Sequence, residues 1–376
     1  MKKKVLFIAT VLRGHMLVFH LPYMQWFQKQ GYEVHCCAGN DTGESPAAVP
    51  NCDRYIEIAF ERNPLHPKNR KAFRQLRALI SREEYALIHC HTPVGGMLGR
   101  LAARKARRKG TAVCYTVHGF HFFSGAPLKN WFLYYTTERI LARMTDLLVT
   151  INQEDFARAS RFKAREVALV HGVGVDLTRF DTMPDRNAVR KEFAAGADTP
   201  VIITVGEHTK RKNHAACIRA LKTIKDAVLV FCGVGQQEAM LRQLAEECRV
   251  AERVRFLGFR KDIPALLSAA DIFLFPSLHE GLPVSLMEAM AAGLPCVISN
   301  VRGNTDLIRD GEGGFLYEPD DIAGFAEGLR VLIANKDLRE QFGERNRAEV
   351  RKYGLPNVLG QMTALYEKQL AKRGDA

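Results

Sequence analysis

Strand-sized apolar runs alternate with amphipathic helical patterns along this chain, and they do so in two successive series. The first series has apolar runs at 5–10, 33–38, 86–90, 112–117 and 146–151, with helical periodicity near 18–30, 70–82, 95–109 and 128–143. The second has runs at 201–206, 228–233, 254–257, 272–275 and 296–299, with helical patterns near 213–224, 236–248, 262–270, 283–292, 320–334 and 337–350. A strand that is apolar throughout is buried on both faces, and a helix between consecutive strands is the crossover that a parallel sheet requires. The pattern predicts an α/β chain of two doubly wound, Rossmann-like domains. At 376 residues the chain is too long for one ordinary core and suits two. The polar stretch 180–187 closes the first series, so the expected domains are 1–180 and 181–354, followed by a C-terminal helix over 355–376 that is able to cross back to the first domain.

Composition narrows the class further. With 47% hydrophobic residues the chain can bury a core and is not disordered. No apolar run approaches the roughly 20 residues of a membrane-spanning helix. The start, with Lys2, Lys3 and Lys4 before an apolar run, imitates a leader, but Arg13, Gly14 and His15 interrupt it too early, so it reads as a first buried strand. Nine cysteines without a C-x-x-C pair, most of them inside apolar runs, point to reduced core thiols and a cytoplasmic protein. The net charge of +13 is uneven: residues 1–180 carry 27 Lys+Arg against 14 Asp+Glu, and residues 181–376 carry 27 of each. An anionic partner for the first half is the expectation: a membrane surface, a nucleic acid or an anionic substrate.

Ligands of doubly wound sheets bind beyond the carboxyl ends of the strands, so the loops after strands are where chemistry is expected. The strand at 272–275 runs through Pro276 into a glycine-containing turn, and Pro283 suits the first turn of a new helix. Free backbone N–H groups and the positive helix end there favour a phosphate. Glu280 precedes that helix, and Glu288 lies about five residues into it, roughly 7–8 Å along the axis. Two carboxylates so placed can grip different hydroxyls of one extended ligand. On spacing alone, a helix cap with a solvated Glu reads as well. Two further loops invite an anion or a planar ring: the basic turn Lys210, Arg211, Lys212, and the segment Gly258, Phe259, Arg260. The lone His118 and the loop Arg13, Gly14, His15 follow other strands.

Glu280 and Glu288 with Gly281, Pro283 and the trailing Ala291, Ala292, Gly293, Leu294, Pro295 resemble the signature of family-4 glycosyltransferases of GT-B fold. Gly206, Gly233, Gly235, Gly258, His171 and His118 fall in the family's order and spacing, so the resemblance covers nearly the whole chain. It implies two Rossmann-like domains facing a central cleft, the N-terminal one for the acceptor and the C-terminal one for a nucleotide-sugar donor. It also implies roles. Glu280 meets the sugar hydroxyls and Glu288 the ribose. Gly281 and Leu282 offer backbone to sugar and phosphate, and Gly206 and Lys212 belong to the diphosphate clamp. Gly258 and Arg260 attend the base, and His118 supports the reacting centre. Gly14 and Arg13 lie near donor and acceptor. Glu207 stands where the family usually has an arginine.

No Asp-x-Asp motif, metal-ligand cluster, G-x-G-x-x-G after the first strand or P-loop is visible in the sequence. The expectation is a retaining, metal-independent transfer of a hexose or N-acetylhexosamine, with no cofactor, from a nucleotide-diphosphate donor, a UDP-sugar first. The stretch 116–131 resembles capsule and exopolysaccharide enzymes, which implies a polyprenyl-diphosphate-linked saccharide as acceptor. The basic run 68–82, with Phe73, Leu76, Leu79 and Ile80 on one face, suggests peripheral attachment to the anionic inner leaflet; a core-facing helix with a solvated basic face reads equally. Alternatives are a sugar-nucleotide 2-epimerase, a phosphorylase, or a non-catalytic nucleic-acid-binding protein. No basic recognition helix or aromatic RNA-binding motif supports the last, so nucleic acid is not an expected partner.

Overall fold

A computed structural model describes residues 2–45 and 47–374. They form two compact units: one runs to Gly174 and resumes at Pro356, and the other is Val175–Leu355. Residues 175–180 therefore belong to the second unit, ahead of the polar stretch 180–187.

The first unit holds seven strands: β1 (Lys4–Val11), β2 (Glu33–Gly39), β3 (Arg54–Glu57), β4 (Tyr85–His91), β5 (Ala112–Val117), β6 (Leu147–Thr150) and β7 (Glu166–Leu169). Their order in the sheet is β3-β2-β1-β4-β5-β6-β7, and every neighbouring pair is parallel. Alternation along β1 sorts its side chains between two cores. Val5, Phe7 and Ala9 pack on one face and Leu6 and Ile8 on the other, all fully buried. Burying side chains of this size contributes about 1.5–3 kcal/mol each. The helix Leu355–Gly374 completes the first face with Val358, Met362 and Tyr366, four residues apart. The Tyr366 hydroxyl lies 2.6 Å from His89 Nδ1 in β4.

The second unit holds β8 (Val201–Val205), β9 (Val228–Cys232), β10 (Val254–Phe256), β11 (Ile272–Phe275), β12 (Cys296–Ser299) and β13 (Gly314–Tyr317), ordered β10-β9-β8-β11-β12-β13, again all parallel. Both sheets are thus doubly wound, with the chain reversing direction beside β1 in one and beside β8 in the other. Crevices open at such reversals, between the loops after β1 and β4 and between those after β8 and β11.

Three strands escape the apolar-run reading: β3, β7 and β13. Each is four residues long, lies at a sheet edge and is largely half-exposed. The basic helix spans Lys68–Glu83. Leu76, Leu79 and Ile80 are buried in the core and Phe73 packs against it, while Arg70, Lys71, Arg74 and Arg77 are exposed. Its apolar face is therefore spent on the fold. Among the described residues, no helix is long and apolar enough to cross a membrane.

Candidate active site

In the second unit, the chain leaves β8 at Gly206 and passes under the loop that follows β9. A Cβ on Gly233 would lie 2.0 Å from the Gly206 carbonyl oxygen, and one on Gly235 2.5 Å from that of His208. The two glycines thus serve this close approach of backbone. The loop closes in a short turn, Lys210–Lys212, ending at Asn213 in the left-handed region (φ 52°). The Asn213 amide donates to the carbonyls of Pro276 and Pro319 at 3.1 and 2.9 Å, tying the turn to the end of β11.

This arrangement brings three charges together. Lys212 Nζ lies 2.9 Å and Arg211 Nη1 2.6 Å from the same oxygen of Glu280. Lys212 and Glu280 are only 8% and 7% exposed. Burial works against the Glu280 carboxylate, but the two cations outweigh it and hold the group below its usual range. Burial lowers Lys212 in turn, against the pull of Glu280. The ammonium also stands 4.4 Å from the centre of the Phe275 ring. Glu207 is exposed. The second cation beside Lys212 is Arg211, which the spacing of the motif did not single out.

Gly281, Leu282 and Pro283 lead into the helix Val284–Ala292. Leu282 is buried, and the loop is pinned from behind where Arg302 Nε donates to the Glu280 carbonyl at 2.9 Å. Glu288 is the fifth residue of the helix and is buried. Its carboxylate pairs with Arg179 at 3.1 Å, a partner 109 residues away that sequence reasoning missed. Burial raises Glu288, and Arg179 offsets part of that rise. Gly258 takes φ +66° with open space where a Cβ would stand. Arg260 is engaged by Asp262 at 2.8 and 2.5 Å and by Glu192 at 2.7 Å. The group expected at a base plane is held by two carboxylates, and the exposed aromatic of this loop is Phe259, at 69%.

In the first unit, the backbone amides of Arg13 and Gly14 both donate to the carboxylate of Asp41, at 2.5 and 3.1 Å. His118 follows β5 and is partly buried. It lies among other imidazoles: His91 Nδ1 is 3.4 Å from His118 Nε2, and His15 Nε2 is 3.1 Å from His20 Nε2. The sequence reading expected no cluster of ligating residues, and here it needs correction. One ring nitrogen from each of these four histidines lies within 4.8 Å of the others. Their positions, 15, 20, 91 and 118, share no local spacing; adjacency of β1, β4 and β5 in the sheet unites them. Burial lowers His15 to about 4 and the other three well below the usual imidazole range. Beside them, a cavity of about 360 Å³ is lined by Val11, His15, Pro93, Met97, Leu133 and Tyr134 among others. Leu65, also on its wall, is 79% exposed, and Leu128 and Phe132 on the 128–135 segment are 86% and 84% exposed.

A family model described as glycosyl transferases group 1 matches residues 185–349, and one described as glycosyl transferase 4-like matches 4–152. EpsD of Bacillus subtilis (strain 168), named as a glycosyltransferase, is 38% identical over 374 residues, 97% of each chain. The Escherichia coli UDP-Gal:alpha-D-GlcNAc-diphosphoundecaprenol alpha-1,3-galactosyltransferase is 32% identical over 282 residues, 72% of each. Among solved structures, Anabaena Alr3699/HepE in complex with UDP-glucose superposes with a TM-score of 0.80 at 18% identity, over 97% of this chain and 99% of that one. At that identity the likeness is one of fold.

Proposed function

The chain belongs to the family-4 glycosyltransferases of GT-B fold, and on that premise we propose that it moves a hexose or N-acetylhexosamine from a UDP-sugar to a lipid-linked saccharide, with retention and without a metal at the diphosphate. The observation that carries this reading is the cluster of buried Lys212 and Glu280 with the half-buried Arg211 at the β8/β11 crevice. As the bond from the anomeric carbon to the diphosphate breaks, the electron pair and negative charge pass to the leaving oxygen. Cations already fixed beside it lower the barrier more than they favour the ground state. The acceptor hydroxyl oxygen then bonds the anomeric carbon, and its proton goes to the departing diphosphate, so UDP leaves and no atom is unaccounted for.

The roles follow. Lys212 and Arg211 face the diphosphate, with Gly206 giving them room. Glu280 grips the sugar, and Gly281 and Leu282 supply backbone. Glu288 exchanges Arg179 for the ribose hydroxyls. The backbone at Gly258 attends the base, with Arg260 as a brace of that loop. His118 acts as a neutral imidazole toward the transferred sugar. The loop of Arg13 and Gly14 borders the acceptor, for which the 360 Å³ cavity and the exposed Leu65, Leu128 and Phe132 offer an apolar surface. The lipid carrier places the protein at the inner face of the cell membrane, where Arg70, Lys71, Arg74 and Arg77 meet anionic headgroups at about 1 kcal/mol each. Support for the donor comes from HepE, solved with UDP-glucose. Support for the acceptor class comes from the Escherichia coli relative, whose name specifies a diphosphoundecaprenol-linked sugar.

The test is to supply UDP-sugars with a polyprenyl-diphosphate-linked saccharide and to measure UDP release with net sugar transfer in EDTA. Release with transfer is expected. UDP release without transfer, or sugar isomerisation alone, overturns the transferase reading in favour of an epimerase, and EDTA inhibition reversed by magnesium overturns the metal-free diphosphate site. Salt-reversible binding to anionic but not neutral vesicles, lost on charge reversal of the four basic residues, is the matching membrane result.

A further inference from the structure

The crevice of the first unit holds more imidazoles than the one, His118, that the proposed transfer uses. Among the described residues, no carboxylate belongs to the set of four histidines that converge there, and the rings pack closely: His20 stacks on His91 at 3.7 Å and His15 stands edge-on to His118 at 4.6 Å. From these four side chains we propose that His15, His20, His91 and His118 form a binding site for one divalent transition-metal ion of the zinc class, independent of the donor site in the second unit.

The distances are those of a nearly assembled tetrahedron. Zinc–nitrogen bonds of about 2.0–2.1 Å require ligand nitrogens about 3.3–3.4 Å apart. The His91–His118 edge is 3.4 Å and the His15–His20 edge 3.1 Å, and no edge exceeds 4.8 Å. Closing the longest edge takes a contraction of at most about 1.4 Å to reach the tetrahedral spacing. Imidazole nitrogen suits zinc, copper and nickel and is a poor ligand for magnesium, which favours oxygen.

The cluster is not satisfied by its own contacts either: His20 Nδ1 and His91 Nε2, the ring nitrogens that do not form these two edges, are buried and have no hydrogen-bond partner. Both residues are 1% exposed. Two neutral imidazoles facing one another share one proton, so the pairs His15–His20 and His91–His118 satisfy only one donor and one acceptor each. An ion engages four lone pairs at once. Access is available too, because a cavity of about 250 Å³ is lined by His15, His118, Phe120 and Tyr134 among others. Water or an anion can reach the ion there and offset its charge.

The experiment titrates Co²⁺ into chelator-stripped full-length protein and follows visible absorption, with Zn²⁺ as competitor. One equivalent with intense tetrahedral bands, displaced by one equivalent of Zn²⁺, is expected. His20→Gln and His91→Gln should each weaken binding by more than the roughly 10–100-fold that losing an outer partner costs. Trp26 and Trp131, the two tryptophans of the sequence, both lie in the first unit, so their fluorescence reports whether a variant keeps that fold. If a variant loses that signal, the wild-type spectrum decides alone. Weak octahedral bands, no bands, or tetrahedral binding unchanged in both folded variants would each overturn the site. UDP calorimetry on the same samples separates the two readings: UDP binding without Co²⁺ binding removes only the metal site, and the converse removes only the donor site.

Discussion

The two units share a topology and differ in what they collect at its crevice. Beside β1 the first gathers imidazoles, and a buried ion pair, Arg100 with Glu138 at 2.8 Å, reaches the wall of the same cavities through Glu138. Beside β8 the second gathers Lys212, Arg211 and Glu280, so these ion pairs lie at the crevice itself, while Arg190 with Asp271 at 3.2 Å sits at the opposite end of β11. A doubly wound sheet fixes where a ligand goes and leaves the chemistry to whichever residues the loops carry. On the proposed function the pairs of Glu280 exchange a protein partner for a ligand, whereas Arg100 with Glu138 and, in the second unit, Arg190 with Asp271 hold structure.

Breaking one pair in each unit tests that contrast most severely. Arg100 is fully buried, donates to the Gly96 carbonyl at 2.8 Å and lies over Tyr115. Arg100→Met strands the Glu138 carboxylate and is expected to cost about 3–5 kcal/mol, read from the urea midpoint of tryptophan fluorescence. A change under 1 kcal/mol would erase the structural half of the comparison. Lys212→Ala leaves Glu280 with Arg211, so its main effect is on turnover, a loss of about 10- to 1000-fold in steady-state transfer assays. Full activity in that variant would mean the second crevice is structural too.

Within the second unit the two carboxylates should separate. Glu288→Ala is expected to weaken UDP binding by about 10- to 100-fold in calorimetry, the scale of a hydrogen bond to a charged group. Glu280→Ala should reduce turnover and leave UDP affinity nearly intact. Equal effects on UDP would merge the two roles. The smallest effect concerns His214, whose two ring nitrogens lack hydrogen-bond partners and whose pKa burial lowers to about 3. Between that value and the usual 6.5 the unfolded chain binds a proton that the folded one does not, so stability is complete above about pH 6.5 and declines as pH falls. His214→Phe should change stability by less than about 1 kcal/mol at pH 7 and recover about 2 kcal/mol at pH 5. An unaltered acid limb in far-UV denaturation curves would assign the decline to other groups.

Legibility followed burial and sequence distance. Central strands such as β5 and β11 were readable to the residue because both of their faces are covered and apolarity is continuous. Edge strands β3, β7 and β13 are four residues long and largely half-exposed, and runs that short did not stand out. The carboxylates at 280 and 288 stood out because one loop and one helix hold both. Their partners did not, since Arg211 is one of three consecutive basic residues and Arg179 lies in a different segment. The amphipathic helix Lys68–Glu83 was visible, but periodicity carries no information about which apolar surface covers its stripe.

By itself, then, the sequence determined the α/β alternation, its duplication, the family and the local motifs, because these depend on periodicity and on residues a few positions apart. Only the tertiary structure decided that Asp41 occupies the amides of Arg13 and Gly14, that Arg260 is braced by Glu192 and Asp262, and that four histidines converge. Parallel sheets bring together loops separated by whole crossover units, and a contact between residues 15 and 118 leaves no periodic trace in the chain.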